Sequence, residues 1–286
     1  METLLDVPQG KFELHRIPKR KNEKLRAWDA ADEYLLQHLF ENISLSTNDK
    51  VFILNDSFGA LAISLHAFEP VSISDSYLSQ QATRLNLATN QLSEECVQLR
   101  SSLDWRIDSA DVVLIKVPKT LALLEDQLIR LQPLLTTDTK VIAAGMVKAM
   151  SASVWKLMER YIGQTQPSLA KKKARLIFVT VNGQQKQQKN PYPTYYQLEN
   201  TDYRICNHAN VFSRDSLDIG TRFLLQHLPK TTGINTIVDL GCGNGVLGLM
   251  LASDNTSAHL YFVDESYMAI ASAKETFNSS FPEKTV

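Results

Sequence analysis

The sequence predicts an α/β protein built from two tandem doubly wound domains, the first complete and the second cut short where the chain stops. Three observations carry this. Across the first 181 positions, apolar and β-branched runs of four to eight residues alternate with helical stretches, as parallel strands and their crossover helices do. Beginning at Gly241, a glycine-rich stretch follows one such run and leads into another helix. The order of positions 51–77 returns, in sharper form, at positions 236–267.

Composition sets the outer limits. The chain has 286 residues, 44% of them apolar and 21% charged, as is usual for a globular protein. That length suits two domains, or one and a part. No run of 18 apolar residues occurs and the N-terminus has no signal-peptide pattern, so a soluble, cytoplasmic protein without membrane contact is expected. Cys96, Cys206 and Cys242 lie far apart with no Cys-x-x-Cys, and the six histidines are scattered. Such spacing offers neither a disulfide framework nor a zinc pattern, and no metal is expected. With a net charge of −1, binding to nucleic acid has to come from local patches.

Residues 1–26 gather His15, Arg16, Lys19, Arg20, Lys21, Lys24 and Arg26, either as a solvated basic arm or as one that contacts phosphates. Ala27 to Leu39 forms a helix with Trp28, Ala31, Leu35 and Leu39 on one apolar face, which assigns Trp28 to the core rather than to base stacking. Val51-Phe52-Ile53-Leu54 is a strand, Asn55 to Gly59 a turn, and Ala60 starts a helix. Val71-Ser72-Ile73-Ser74 is the next strand, closed by Asp75-Ser76-Tyr77. Asp111 to Ile115 is nearly all apolar, as central parallel strands are, and ends in Lys116-Val117-Pro118-Lys119. A helix over 121–135 with a break at Pro133, a strand over 140–144, a helix over 151–162 and a strand over 174–181 complete the first domain, residues 1–181. Lys171, Lys172 and Lys173 precede that strand as a solvated loop or an RNA contact. Residues 182–193, polar and ended by Pro191 and Pro193, form the linker to the second domain, residues 194–286. There Tyr195–Leu198 and Tyr203–Cys206 can pair as short strands. His208 suits a structural hydrogen bond better than catalysis. Asp218 is placed to cap a helix, and with Gly220 and Thr221 to close over a ligand.

Thr236 to Leu240 is the strand that enters Gly241-Cys242-Gly243-Asn244-Gly245, and Val246 to Leu251 is the helix that follows. Leu260 to Val263 makes another strand, closed by Asp264-Glu265, 23 positions beyond Gly241. Glycines remove side chains so that backbone N–H groups and a helix N-terminus approach a ligand, and an acid at this distance accepts hydrogen bonds from ribose hydroxyls. Gly243 to Gly248 also satisfies the Gly-x-Gly-x-x-Gly dinucleotide pattern. Asp239 argues against a dinucleotide, because a carboxylate there repels a pyrophosphate and suits the cationic end of an amino-acid ligand. In the first half, Ile53 stands opposite Asp239, Asn55 opposite Gly241, Ser57 opposite Gly243 and Gly59 opposite Gly245. Asp75-Ser76-Tyr77 echoes Asp264-Glu265-Ser266-Tyr267, 20 positions after the turn. The chain is a duplication whose first copy has lost its cofactor loop.

Asp239 to Gly245 resembles motif I of the class I, Rossmann-like, S-adenosylmethionine-dependent methyltransferases, where this loop wraps the methionine part. With two such halves, the first degenerate, the whole chain resembles the bacterial ribosomal RNA guanine-N2 methyltransferases. Leu25 to Leu36, Asn207 to Arg214 and Leu217 to Phe223 resemble the large-subunit members in particular. The resemblance implies S-adenosyl-L-methionine as cofactor, held by Asp239, Gly241, Cys242, Gly243, Asn244, Gly245, Asp264 and Glu265, with Asp218, Gly220 and Thr221 as further candidates. It implies 23S rRNA as partner, the N2 amine of one guanine as acceptor, and a first domain that binds RNA without cofactor.

Members of this family carry an Asn-Pro-Pro-aromatic motif whose Asn side chain and following carbonyl accept the N–H bonds of the target amine and aim its lone pair at the methyl. Lys116-Val117-Pro118-Lys119 keeps one proline at that place, and Lys116 cannot accept those bonds. The second half stops at Val286 without the motif, so the catalytic residues are expected beyond Val286 and the chain as it stands is expected to be inactive. Two other readings stay open: a non-catalytic RNA- or ribosome-binding protein derived from a methyltransferase, and a methyltransferase of 16S rRNA or of a protein glutamine. The intact glycines, Asp239 and Asp264 argue against the non-catalytic reading, since a decayed loop should look like Asn55–Gly59.

Overall fold

The computed structural model describes residues 2–183, 187–229, 231 and 233–282. They belong to two compact units, Met1–Asn190 and Pro191–Val286. Residues 184–186 of the expected linker, and the expected break at Val286, lie outside the described residues.

The first unit opens with a hairpin of β1 (Leu4–Val7) and β2 (Gly10–Glu13). This corrects the reading of residues 1–26 as an arm for the part up to Leu14; the basic stretch that follows is irregular, with Lys19, Arg20, Lys21 and Lys24 exposed. Leu5 and Phe12 stand opposite each other across the hairpin and, with Leu14, are buried in the core. α1 (Ala30–Asn42) starts at Ala30 rather than Ala27, because Asp29 caps it. The Asp29 carboxylate accepts the N–H groups of Ala31 and Asp32, and Asp32 returns a bond to the N–H of Asp29. β3 (Val51–Leu54), α2 (Ala60–Ser64), β4 (Val71–Ser74), α3 (Tyr77–Thr89), β5 (Gln98–Ser101) and β6 (Val112–Lys116) follow. Then come α4 (Leu121–Leu131), β7 (Lys140–Met146), α5 (Ala152–Tyr161), β8 (Gly163–Pro167) and β9 (Ala174–Val181). α4 tightens into a 3-10 turn at Gln132–Leu134, where Pro133 has no N–H to continue the helix.

The seven-stranded sheet runs β5-β4-β3-β6-β7-β9-β8. β3 pairs in parallel with β4 on one side and β6 on the other, so the strand order reverses between β3 and β6. In doubly wound sheets ligands sit at the carboxyl ends of the strands at such a switch point. β9 runs antiparallel to β7 and β8. β3 is buried on both faces, which explains its unbroken apolar run.

In the second unit β10 (Thr194–Gln197) and β11 (Arg204–Asn207) pair antiparallel, close to the expected positions. α6 (Ile219–Gln226) is capped by Asp218, whose carboxylate accepts the Thr221 N–H at 3.0 Å. β12 (Thr236–Leu240), α7 (Val246–Asp254), β13 (His259–Val263) and α8 (Tyr267–Ser280) complete it, with β12 and β13 parallel. Leu198, Ile205, Val246, Leu249 and Phe277 form its core. Among the described residues, no helix is long and apolar enough to cross a membrane.

The halves repeat each other at the level of single bonds. Asn55 N–H donates to Ile73 O at 3.0 Å, and Gly241 N–H to Val263 O at 2.7 Å. Both residues have positive φ, 66° and 72°, and Gly59 and Gly245 precede α2 and α7 at 84° and 80°. Ser76 and Ser266 cap α3 and α8. These anchors set Asp75 opposite Glu265 and Ser74 opposite Asp264. The first copy therefore has no acid where Asp264 stands, one place off the match drawn from the sequence.

Candidate functional site

At the carboxyl ends of β12 and β13 lies a cavity of about 260 Å³. Gly241 and Gly243 line it with φ of 72° and 54°, and a Cβ on either would meet nothing within 4 Å. Backbone strain reserves these places for glycine, and the open space beside them is left to a ligand. Gly245 and Gly248 are different: a Cβ there would lie 2.9 Å from Ala273 and 2.6 Å from Phe262. Those two glycines let α7 close on its neighbours.

Asp264 is aimed by the backbone. Its Oδ2 accepts Gly243 N–H at 3.0 Å and its Oδ1 accepts Ser266 N–H at 3.0 Å, and each oxygen keeps a lone pair for a further donor. The Asn244 amide donates to buried Asn207 at 2.9 Å and to the Tyr196 hydroxyl at 3.4 Å, tying the glycine loop to β11 and β10. The buried Cys242 thiol is pushed up to about 12 by burial, with Asp239 and Asp264 adding to the effect. It stays protonated at neutral pH and is no nucleophile.

Of the residues expected to hold a cofactor, Gly241, Cys242, Gly243, Asn244 and Asp264 come together around the cavity, with Asp218 and Thr221. The other four do not line it. Asp239 turns to α7, where its Oδ2 accepts Gly248 N–H at 2.9 Å, so it fastens strand to helix rather than facing a cationic ligand group. Burial raises its carboxyl above the usual range, against the pull of that N–H. Gly245 serves packing, Gly220 lies beside the Asp218 carboxylate, and Glu265 is exposed. Sequence reasoning missed Tyr196 and Asn207, whose contacts with the loop are tertiary. Asn210, Val211, Phe212 and Ser213 also line the cavity, and their only signal was the family-like stretch they belong to.

The equivalent place in the first unit is filled by its own side chains. Asp56, opposite Cys242, accepts the N–H groups of Gly59, Ala60, Leu61 and Ala62 at 2.9–3.1 Å. A helix start would otherwise offer those donors to a ligand. Asn55 donates to Lys116 O at 3.0 Å and exchanges two hydrogen bonds with Gln127, bridging β3 to β6 and α4. The Lys116 ammonium is gripped by Asp29 at 2.7 Å and Asp32 at 2.6 Å. Burial raises the Asp32 carboxyl to about 6, with Lys116 opposing it.

The basic residues expected to meet RNA divide into two groups. Arg16 packs over Phe58 and pairs with Glu23, and Arg26 packs over Trp28 and pairs with Glu33. Trp28 is buried in the core and donates to Glu33 at 3.0 Å. Lys172 reaches the same Glu33 at 2.9 Å, so two clusters far apart in sequence meet on α1. Lys19, Arg20, Lys21, Lys24, Lys171 and Lys173 are exposed, as is Lys172 despite its ion pair, and the Lys171 ammonium lies over the Tyr34 ring.

In the second unit, parallel strands with a glycine loop at the end of the first and an acid at the end of the next make a Rossmann-like ligand site, the kind that methyltransferases carry. Residues 202–286 match the methyltransferase small domain and residues 2–183 the RLMG N-terminal domain. The chain belongs to the ribosomal RNA large subunit methyltransferase G family. A relative of that name from Streptomyces griseus is 50% identical over 281 residues, 96% of this chain and 73% of that protein. One from Aeromonas salmonicida is 47% identical, over 99% of this chain and 74% of that protein. One from Pseudomonas syringae is 49% identical, over 99% and 75%. Among solved structures, the T. thermophilus 16S rRNA N2 G1207 methyltransferase in complex with AdoMet and guanosine shares the fold. Its TM-score is 0.70 at 16% identity, covering 97% of this chain and 72% of that one.

Proposed function

We propose that the protein is an S-adenosyl-L-methionine-dependent methyltransferase of ribosomal RNA, acting on the N2 amine of a guanine in 23S rRNA. One observation supports the cofactor above the others: among the described residues, the cavity is lined by two carboxylates, Asp218 and Asp264, and by no lysine or arginine. A dinucleotide would set its pyrophosphate in the cavity that Asp218 lines with no cation beside it, whereas S-adenosylmethionine brings a sulfonium and an ammonium; Asp264, as an acceptor of ribose hydroxyls, suits either.

When bound, the cofactor supplies a methyl group on a sulfonium. The chain's own residues bind and orient it. Asp264, held by the N–H groups of Gly243 and Ser266, accepts the ribose hydroxyls. The bare backbone at Gly241 and Gly243 makes room for the methionine part, Val246 and Leu247 offer apolar contact, and Asp218 is an acceptor for the ammonium. Phe212, on the cavity and 76% exposed, offers a ring to a base drawn out of its stack. The first unit binds no cofactor, its crevice being filled, and supplies basic surface for phosphates through Lys19, Arg20, Lys21, Lys24, Lys171 and Lys173. The large-subunit substrate is supported by the shared name of the relatives, and a cytoplasmic location goes with it.

Mapping the methylated positions of ribosomal RNA from cells with and without the gene tests this reading. One N2-methylguanine should disappear from 23S rRNA. A loss confined to 16S rRNA, or to a protein glutamine with RNA unchanged, would overturn the substrate. No change in any of the three would overturn methyl transfer itself.

A further inference from the structure

The end of β11 and the middle of α8 bring together three side chains that the sequence keeps apart. Strand alternation sends Cys206 and His208 to one side and Asn207 to the other. Asn207 meets the glycine loop, where it accepts the Asn244 amide at 2.9 Å. On the other side the chain is stitched to α8: Cys206 N–H donates to Thr276 Oγ1 at 3.0 Å and His208 N–H to Ser272 Oγ at 2.9 Å. Glu275, next to Thr276, completes the group. One ligand atom from each of Cys206, His208 and Glu275 lies within 4.8 Å of the other two. The thiol is buried, the imidazole half-buried and the carboxylate exposed, so an ion can reach the group from the Glu275 side.

Sulfur, imidazole nitrogen and carboxylate oxygen are together the donor set of a borderline-soft divalent cation, not of calcium or magnesium. Zinc–ligand bonds of about 2.0–2.3 Å in tetrahedral geometry set the ligand atoms roughly 3.5 Å apart. Small side-chain rotations on the stitched backbone close that difference. We propose that Cys206, His208 and Glu275 form a three-residue site for a zinc ion, with water in the fourth position. None of the three lines the cofactor cavity. The spacing of cysteines and histidines conceals the site because its third ligand comes from α8.

Without an ion, the Glu275 carboxylate accepts the Tyr195 hydroxyl at 2.5 Å. Zinc takes the place of the thiol proton: the S–H bond breaks, the proton passes to water, and the thiolate, neutral imidazole and carboxylate bind the ion. One proton leaves per zinc, so binding weakens as pH falls. Joining β11 to α8 also fixes Asn207, and through Asn244 the glycine loop.

The test uses the untagged full chain, stripped with a chelator. It is titrated with zinc chloride against a chromogenic competitor, and with cobalt chloride by absorbance. One zinc per chain should bind, with a rise in melting temperature, and cobalt should give a near-ultraviolet thiolate charge-transfer band. Cys206→Ser should abolish that band, and Glu275→Gln should weaken zinc about tenfold or more. Cys96→Ser should change neither. Circular dichroism of the metal-free variants checks folding, and if Cys206→Ser does not fold, the exposed Glu275→Gln decides alone. Absence of saturable binding to the wild-type chain, or wild-type affinity in a folded variant of either residue, would overturn the site.

Discussion

The glycines of the second unit do two different jobs, and single substitutions separate them. Gly248→Ala brings a methyl to 2.6 Å from the Phe262 ring, so it should lower the melting temperature by a loss of about 1–3 kcal/mol. Gly243→Val meets no protein atom, but it forces a branched side chain to φ of 54° and fills ligand space. It should weaken S-adenosylmethionine tenfold or more in calorimetry while the circular dichroism spectrum stays unchanged. Asp264→Ala removes a charged acceptor of the ribose hydroxyls, a loss of about 1.5–3 kcal/mol of binding. Unchanged affinity in that variant would refute the ribose contact. That Gly241, Gly243 and Asp264 lie together at the strand ends was legible because their signal is local, a strand, a turn and an acid in sequence order, whereas the packing role of Gly245 was not. The roles of Asp239, Asn207 and Tyr196 were not, because each depends on a partner supplied by another element.

Within the first unit, helix α1 closes the crevice on strand β6 through Asp32 and Lys116, and the burial of Asp32 there carries a pH signature. The Asp32 carboxyl is raised from 3.8 to about 6. A raised carboxyl holds its proton more tightly folded than unfolded. Its contribution to stability is therefore fully present below the unfolded value and is lost as pH rises through about 6. Asp32→Asn mimics the protonated state at every pH. Between about pH 4 and pH 7 the melting temperature of the wild-type chain should fall relative to that of Asp32→Asn; parallel profiles would contradict the assignment. Elements buried on both faces, such as β3, were legible as apolar runs. β5 and β8 were not, because they are the edge strands of the sheet and carry polar residues such as Gln98, Gln164 and Gln166. The hairpin β1–β2 was hidden by the basic residues that follow it.

For the whole molecule, duplication divides the work: one glycine loop is open and the other is closed by Asp56, Asn55 and Lys116. The repeat could be read from the sequence because the glycine before the helix and the Ser-Tyr pair survive in both halves. What could not be read is that Arg26 and Lys172 meet on Glu33, since only the fold brings them together. If the exposed basic residues contact phosphates, the logarithm of RNA affinity should fall against that of salt with a slope of about 0.7–0.9 per phosphate. Replacing Lys19, Arg20, Lys21 and Lys24 by Ser should flatten this slope by roughly three units without altering cofactor affinity. An unchanged slope would move the RNA-binding face away from these residues. The division of labour itself is tested most directly by calorimetric titration of the full chain with S-adenosylmethionine, beside Gly243→Val. One molecule per chain, lost in the variant, is the expected result. No binding, two molecules per chain, or one whose affinity survives Gly243→Val would contradict it.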